Sequence, residues 1–312
     1  MPKTLKPKQK PSKHPATFGD WVSASRPATL GLAIAPVVLG YGVGLFGLLL
    51  SDQPELEQRA FLVALLCVAV AIFLQIGVNF ANDYSDGIRG TDDNRKGPKR
   101  LTVSGAVPAK RVRSVAFAFF GVAAFAGLAL TIITQVWWLP IVGFLAITAA
   151  WYYTGGKRPY GYAGLGELVV FVFFGLVATC GTSFLVSGFI SLDAELAGAT
   201  QGLFAAAVLH INNLRDRETD LKAGKRTIAT RISPLAGRWL FGALILLPFG
   251  SAAVFSVYLA AAPLVFLCLF SAIPAVLISA TAKTPRELVL ALKLTVLTSL
   301  AYCCLLAMAF AL

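Results

Sequence analysis

The sequence predicts an all-α membrane protein: a polytopic bundle of nine transmembrane helices, built as two parallel four-helix halves plus one. Three observations predict it. Apolar residues make up 57% of the 312-residue chain and charged residues only 13%, with a mean hydropathy of +0.75. A soluble domain carries roughly 25% charged residues, so most of this surface faces something other than water. Second, long uncharged runs recur along the chain. Third, the basic residues alternate between the segments that join those runs. The net charge of +12 on a soluble chain would point to nucleic acid; here it sits between apolar runs.

The elements follow in order. Residues 1–25 form a basic, polar N-terminal tail, its first fifteen residues rich in Lys and Pro and without the shape of a cleavable signal. A span needs about 20 mostly apolar residues. Pro27–Ser51 and Ala60–Ala81 supply one each. Ser114–Gly156 is long enough for two, divided at Gln135 just before Trp137 and Trp138. Leu168–Leu192 and Leu196–Leu214 are single spans. Trp239–Ala282 is again double, with a break near Ala260–Pro263, and Glu287–Leu312 is the ninth span. Residues 26–312 thus form one transmembrane domain. The five cysteines lie within apolar runs, without metal or disulfide spacing.

The loops test the count. If the N-terminus is cytoplasmic, the tail, Arg89–Arg113, Lys157–Arg158, Arg215–Arg238 and Lys283–Lys293 are cytoplasmic too. Together with Arg26 at the end of the tail they hold all but Arg59 of the 27 Lys and Arg residues. That is the positive-inside pattern, and a wrong span count would scramble it.

An internal repeat accompanies the spans. Asn82-Asp83-Tyr84-Ser85-Asp86 follows the second, and Asn212-Asn213-Leu214-Arg215-Asp216 follows the sixth, 130 residues later. Four spans separate them, so both clusters face the same side, as parallel repeats do. Residues four apart share one face of a helix. Asn82 therefore projects with Asp86, and Asn212 with Asp216 and Asp220, while Asp83 lies about 100° away and suits capping or solvation.

Carboxylates at the end of an apolar span are costly unless paired, solvated or metal-bound. Hard oxygen donors in small arrays suit Mg²⁺, which keeps waters and takes further oxygens from phosphates. The expected metal ligands are Asn82, Asp86 and Asp92 in one half and Asn212, Asp216 and Asp220 in the other, holding two Mg²⁺ ions on one diphosphate. Merely solvated, acidic membrane borders would not explain the repeated spacing. The flanking Lys99, Arg100, Lys157, Arg158, Lys225 and Arg226 suit a polyanion, and equally serve as topology signals. Gln75 and Asn79 face the same side as Asn82 and would contact substrate or join spans. His210, within a turn of Asn212, fits a buried structural role better than a catalytic one.

These motifs resemble the UbiA-type intramembrane aromatic prenyltransferases over nearly the whole chain. The second motif is followed by Gly224-Lys225-Arg226-Thr227. Arg26-Pro27-x-Thr29-Leu30, Tyr153-Thr154-Gly155-Gly156 and Gly164-Leu165-Gly166-Glu167 resemble the branch of the family that prenylates dihydroxynaphthoate in menaquinone synthesis. The wider family often places a third acid where Gly90 stands; here Asp92, with Asp93 beside it, comes two residues later.

The resemblance implies transfer of a polyprenyl group from polyprenyl diphosphate to 1,4-dihydroxy-2-naphthoate, with 4-hydroxybenzoate as the alternative acceptor. It implies Mg²⁺ as cofactor, the lipid bilayer as surroundings, and an active site on the cytoplasmic side of a bacterial cytoplasmic membrane. The expected catalytic residues are Asp86, Asp216 and Lys157. The expected substrate-binding residues are Arg26, Gln75, Asn79, Lys99, Arg100, Tyr153, Arg158, Tyr160, Glu167, Lys225 and Arg226. A secondary transporter would place its acids nearer the bilayer midplane. A phosphatidyl-alcohol transferase would follow Asp-Gly closely with Ala-Arg, whereas Asp86-Gly87 is followed by Ile88-Arg89.

Overall fold

The computed structural model describes residues 15–51, 53–90 and 100–312. Every regular element among them is a helix, with no strand. Eight helices are long and apolar enough to cross a membrane, and a ninth apolar helix is shorter.

The chain enters through α1 (Phe18–Ser25), a part of the tail that composition alone does not mark as helical. Thr17 caps it: its hydroxyl accepts from Asp20 N–H, while its own N–H donates to the Asp20 carboxylate at 2.8 Å, the reciprocal capping box. Arg26 then turns the chain in the left-handed region, with φ 55°, and α2 (Gly31–Leu49) begins the bundle.

The second helix, α3 (Pro54–Arg89), runs 36 residues, about 54 Å at 1.5 Å per residue. A bilayer core is about 30 Å thick. The helix therefore outruns the expected span of 60–81 and carries its motif on unbroken turns before stopping at Gly90. A single turn, α4 (Leu101–Ser104), precedes α5 (Ala109–Thr134). Gln135 ends α5 at the expected break, with φ 59°, and the 14-residue α6 (Leu139–Tyr152) follows.

The second half repeats this order. The helix α7 (Gly166–Ser187) contains a ten-residue π-helical stretch, Phe171–Cys180. Next, α8 (Leu192–Lys222) also outruns its expected span and carries the second motif. The single turn α9 (Ile228–Arg231), α10 (Pro234–Phe255), α11 (Ala262–Thr281) and α12 (Pro285–Ala311) complete the chain. The break between α10 and α11 falls at 256–261, slightly ahead of its expected place. Each half thus reads long motif helix, single turn, next span.

Helix packing brings the motifs together. The main pairings are α3 with α5, α7 with α8, and α2 with α12. Small residues allow close approach, as membrane interfaces favour. A Cβ on Gly175 of α7 would stand 2.5 Å from Gly198 O and 2.6 Å from Gly202 Cα of α8. The largest apolar core runs through α2, α8, α10, α11 and α12 and packs one side of α8.

Candidate active site

Where the motif-bearing ends of α3 and α8 meet, a polar chamber of about 40 Å³ is lined by Asn82 and Asp86 from one helix and Asn212, Asp216 and Asp220 from the other. Arg26, Arg100, Tyr153, Tyr162 and Lys225 also line it. Beside it lies an apolar cavity of about 1500 Å³, walled by residues of α2, α3, α5, α6, α7 and α8. Arg26, Asn82, Tyr153 and Asn212 line both spaces. A small charged chamber adjoining a long greasy one suits an amphiphile with an anionic head.

Every buried acid in the chamber has a cationic neighbour. Asp86 accepts from the Tyr162 hydroxyl at 2.8 Å and lies 3.5 Å from the Arg100 guanidinium. Asp216 is gripped by Arg215 through two parallel bonds, Nε at 2.8 Å and Nη2 at 2.7 Å. Asp220 pairs with Lys225 at 3.3 Å. Such pairing offsets the desolvation of buried carboxylates. Asn82 accepts from the Thr154 hydroxyl at 2.7 Å. Asp83 instead accepts from the N–H groups of Leu101 and Thr102 at 2.8 and 3.0 Å; it caps α4, as its position round the helix suggests.

The other expected residues divide. Gln75, Asn79 and Tyr160 line the apolar cavity, and Asn79 also donates to Ser25 O at 2.9 Å, tying α1 to α3. Lys157, Arg158 and Arg226 are exposed and line neither space. Glu167 lies behind the chamber wall, accepting from Asn213 at 3.1 Å and facing His210 Nδ1 at 3.2 Å. His210 Nε2 meets Gly237 O at 3.0 Å, so this histidine is enclosed in a structural network. Asp92, Asp93 and Lys99 lie outside the described residues.

Burial raises the Tyr160 hydroxyl above the ordinary phenol range, with Tyr153 beside it adding to the shift. The Tyr153 and Tyr160 rings meet edge to face at 5.6 Å, and aromatic faces of this kind attract a passing cation.

Sequence reasoning overlooked four participants: Arg215, Tyr162, Thr154 and Arg89. Arg215 stands inside the second motif, where its charge blends with the topology signal. Arg89 ends α3 and donates to Thr154 O and Gly156 O, fixing the loop that presents Thr154 to Asn82. Thr154 belongs to a quoted motif, whereas Tyr162 carries no spacing signal.

The donor set fits Mg²⁺. Among the described residues no three His, Cys, Asp or Glu side chains form a ready-made cage. Magnesium needs none: it typically takes one or two carboxylates and completes its shell with water and substrate phosphate. Asp86, Asp216, Asp220 and the two amides present hard oxygens around one chamber.

Fold and chamber together describe an intramembrane bundle with a polyanion site, and the chain belongs to the UbiA prenyltransferase family, whose match covers residues 41–288. It is 45% identical over 230 residues to the 1,4-dihydroxy-2-naphthoate octaprenyltransferase of Mycobacterium tuberculosis, covering 74% of this chain and 75% of that one. The enzyme of the same name from Escherichia coli is 35% identical over 232 residues, covering 72% of each. The solved structure of a UbiA homologue from Archaeoglobus fulgidus, bound to GPP and Mg²⁺, superposes with a TM-score of 0.63 at 14% identity, over 94% of this chain and 100% of that one.

Proposed function

We propose that this protein transfers a polyprenyl group from polyprenyl diphosphate to 1,4-dihydroxy-2-naphthoate, releasing carbon dioxide and diphosphate and giving demethylmenaquinol. The observation that carries the reading is the joined pair of spaces: a chamber lined by Asp86, Asp216, Asp220, Arg100 and Lys225 beside the large apolar cavity. The relatives' shared activity names the acceptor.

The chain's residues divide the work. Asn82, Asp86, Asn212, Asp216 and Asp220 would hold Mg²⁺, with room in the reading for two ions. Bound there, the metal neutralises charge that builds on the diphosphate as the allylic C–O bond breaks. Arg100 and Lys225 stand on the chamber wall as fixed cations for the same charge. Tyr153 stands on both linings, and Gln75, Asn79 and Tyr160 line the apolar cavity, where the acceptor would meet the allylic carbon. The apolar wall excludes water, which would otherwise capture the cation. Arg26, on both linings, is placed to orient the acceptor's carboxylate.

The bonds balance without an added proton. A C–C bond forms at the ring carbon bearing the carboxylate as the donor's C–O bond breaks. The electrons of the C–CO₂ bond then return to the ring as carbon dioxide leaves. The basic loops support an active site on the cytoplasmic side, and the bacterial relatives support a bacterial cytoplasmic membrane. Incubating purified protein with Mg²⁺, a polyprenyl diphosphate and either acceptor tests the reading. Turnover of the naphthoate supports it; turnover of single-ring acceptors alone overturns it.

A further inference from the structure

Tyr162 touches both halves of the chamber. It sits in a single helical turn, Tyr160–Tyr162, between α6 and α7. Its hydroxyl donates to Asp86 Oδ1 at 2.8 Å. Its ring carries two cations, each centred 5.5 Å from the centroid: the Arg89 guanidinium from the end of α3 and the Lys225 ammonium from the loop after α8. Its main-chain carbonyl accepts from Arg226 N–H at 3.1 Å. Arg231 braces the same turn through Ala163 O at 2.7 Å.

We infer that Tyr162 is the positioning residue that locks the two half-sites into one diphosphate chamber, its hydroxyl orienting Asp86 and its ring holding Lys225 beside Asp220. The inference rests on the metal-diphosphate reading of the chamber. A carboxylate with one oxygen engaged by a phenol cannot swing freely, so its second oxygen keeps a fixed direction. Lys225, 3.3 Å from Asp220, is held over an aromatic face within the polar chamber rather than ranging into solvent. Arg89 spreads the arrangement further. It grips the carbonyls of Thr154 and Gly156, and Thr154 in turn fixes the Asn82 amide. Orientation of Asn82, Asp86 and Lys225 therefore passes through one ring.

Two variants separate hydroxyl from ring. Tyr162→Phe keeps the ring over both cations and removes only the donor to Asp86. Loss of a partner that orients a metal ligand typically costs about 10- to 100-fold in activity or metal affinity. The expected result is a kcat loss in that range, a matching rise in the Mg²⁺ concentration for half-maximal rate, and a KM for the prenyl donor within about 2-fold of wild type. Tyr162→Leu also removes the aromatic face and should raise the donor KM by about 3- to 10-fold, a rise that the Phe variant does not show.

A binding readout stands beside activity: thermal stabilisation of the purified protein by inorganic pyrophosphate, titrated with Mg²⁺. Tyr162→Phe should need about 10-fold more Mg²⁺ for half-maximal stabilisation while melting close to wild type without ligands. An unchanged Mg²⁺ midpoint in both assays would overturn the inference. So would a collapse of ligand-free stability in the Phe variant, which would mark Tyr162 as packing alone. If wild type shows no Mg²⁺-dependent response to pyrophosphate, the diphosphate reading falls, and this inference with it.

Discussion

Replacing Arg215 by Met tests the electrostatics of the chamber. Methionine keeps an unbranched apolar stem but removes the charge and both bonds to Asp216. Those bonds are short, 2.8 and 2.7 Å, and the two side chains are only 6% and 10% exposed. A hydrogen bond to a charged group contributes about 1.5–3 kcal/mol net, and removing one partner of a buried ion pair costs about 3–5 kcal/mol. The two estimates agree, so a loss of about 3–5 kcal/mol is expected. At roughly 2 °C per kcal/mol for a chain of this size, the melting temperature in detergent falls by about 6–10 °C. The assay repeats the melt with Mg²⁺ and pyrophosphate. A cation beside Asp216 replaces the missing guanidinium, so the deficit should shrink by at least about half, on the order of 2 kcal/mol. An unshifted melting temperature would refute the claim that Arg215 balances Asp216. A deficit that ligands leave untouched would refute the claim that Asp216 faces the metal.

Other outcomes follow from the same geometry. Asp86→Asn preserves shape and still accepts from Tyr162, yet should lower turnover by about 100-fold or more, because charge on the leaving diphosphate loses its stabiliser; chelation of Mg²⁺ should abolish turnover of wild type. Gly175→Ala places a methyl 2.5 Å from Gly198 O, where only backbone could yield, and should destabilise by about 1–3 kcal/mol, read as a lower melting temperature with reduced kcat. In sealed cells an impermeant label should reach a C-terminal tag but not an N-terminal one, which reacts only after the membrane is permeabilised. Equal exposure on one side would remove the nine-span topology.

Much of this site is legible in the sequence because two independent periodicities point to it. Span length and basic loops give the bundle, and the 130-residue offset places Asn82 and Asp86 opposite Asn212 and Asp216, where the chamber joins them. The phase of Asp83 foretells its capping of α4. What stays hidden depends on tertiary contact. Basic loop residues carry one signal for two roles: Lys225 and Arg100 enter the chamber, whereas Lys157, Arg158 and Arg226 remain exposed. Glu167 belongs to a quoted motif, but its partners His210 and Asn213 lie more than forty residues away. Tyr162 acts through a ring face and a hydroxyl that no spacing rule anticipates. Helix α1 did leave a local trace, Thr17 three residues before Asp20, in a segment that composition groups with the polar tail.

The most direct test of the central claim is the mass of the product formed by purified protein from a polyprenyl diphosphate and 1,4-dihydroxy-2-naphthoate in Mg²⁺. Attack from the ring carbon that bears the carboxylate predicts a prenylated naphthalenediol lighter by the lost carbon dioxide, with diphosphate released in equal amount. A prenylated product that keeps its carboxylate would contradict the account.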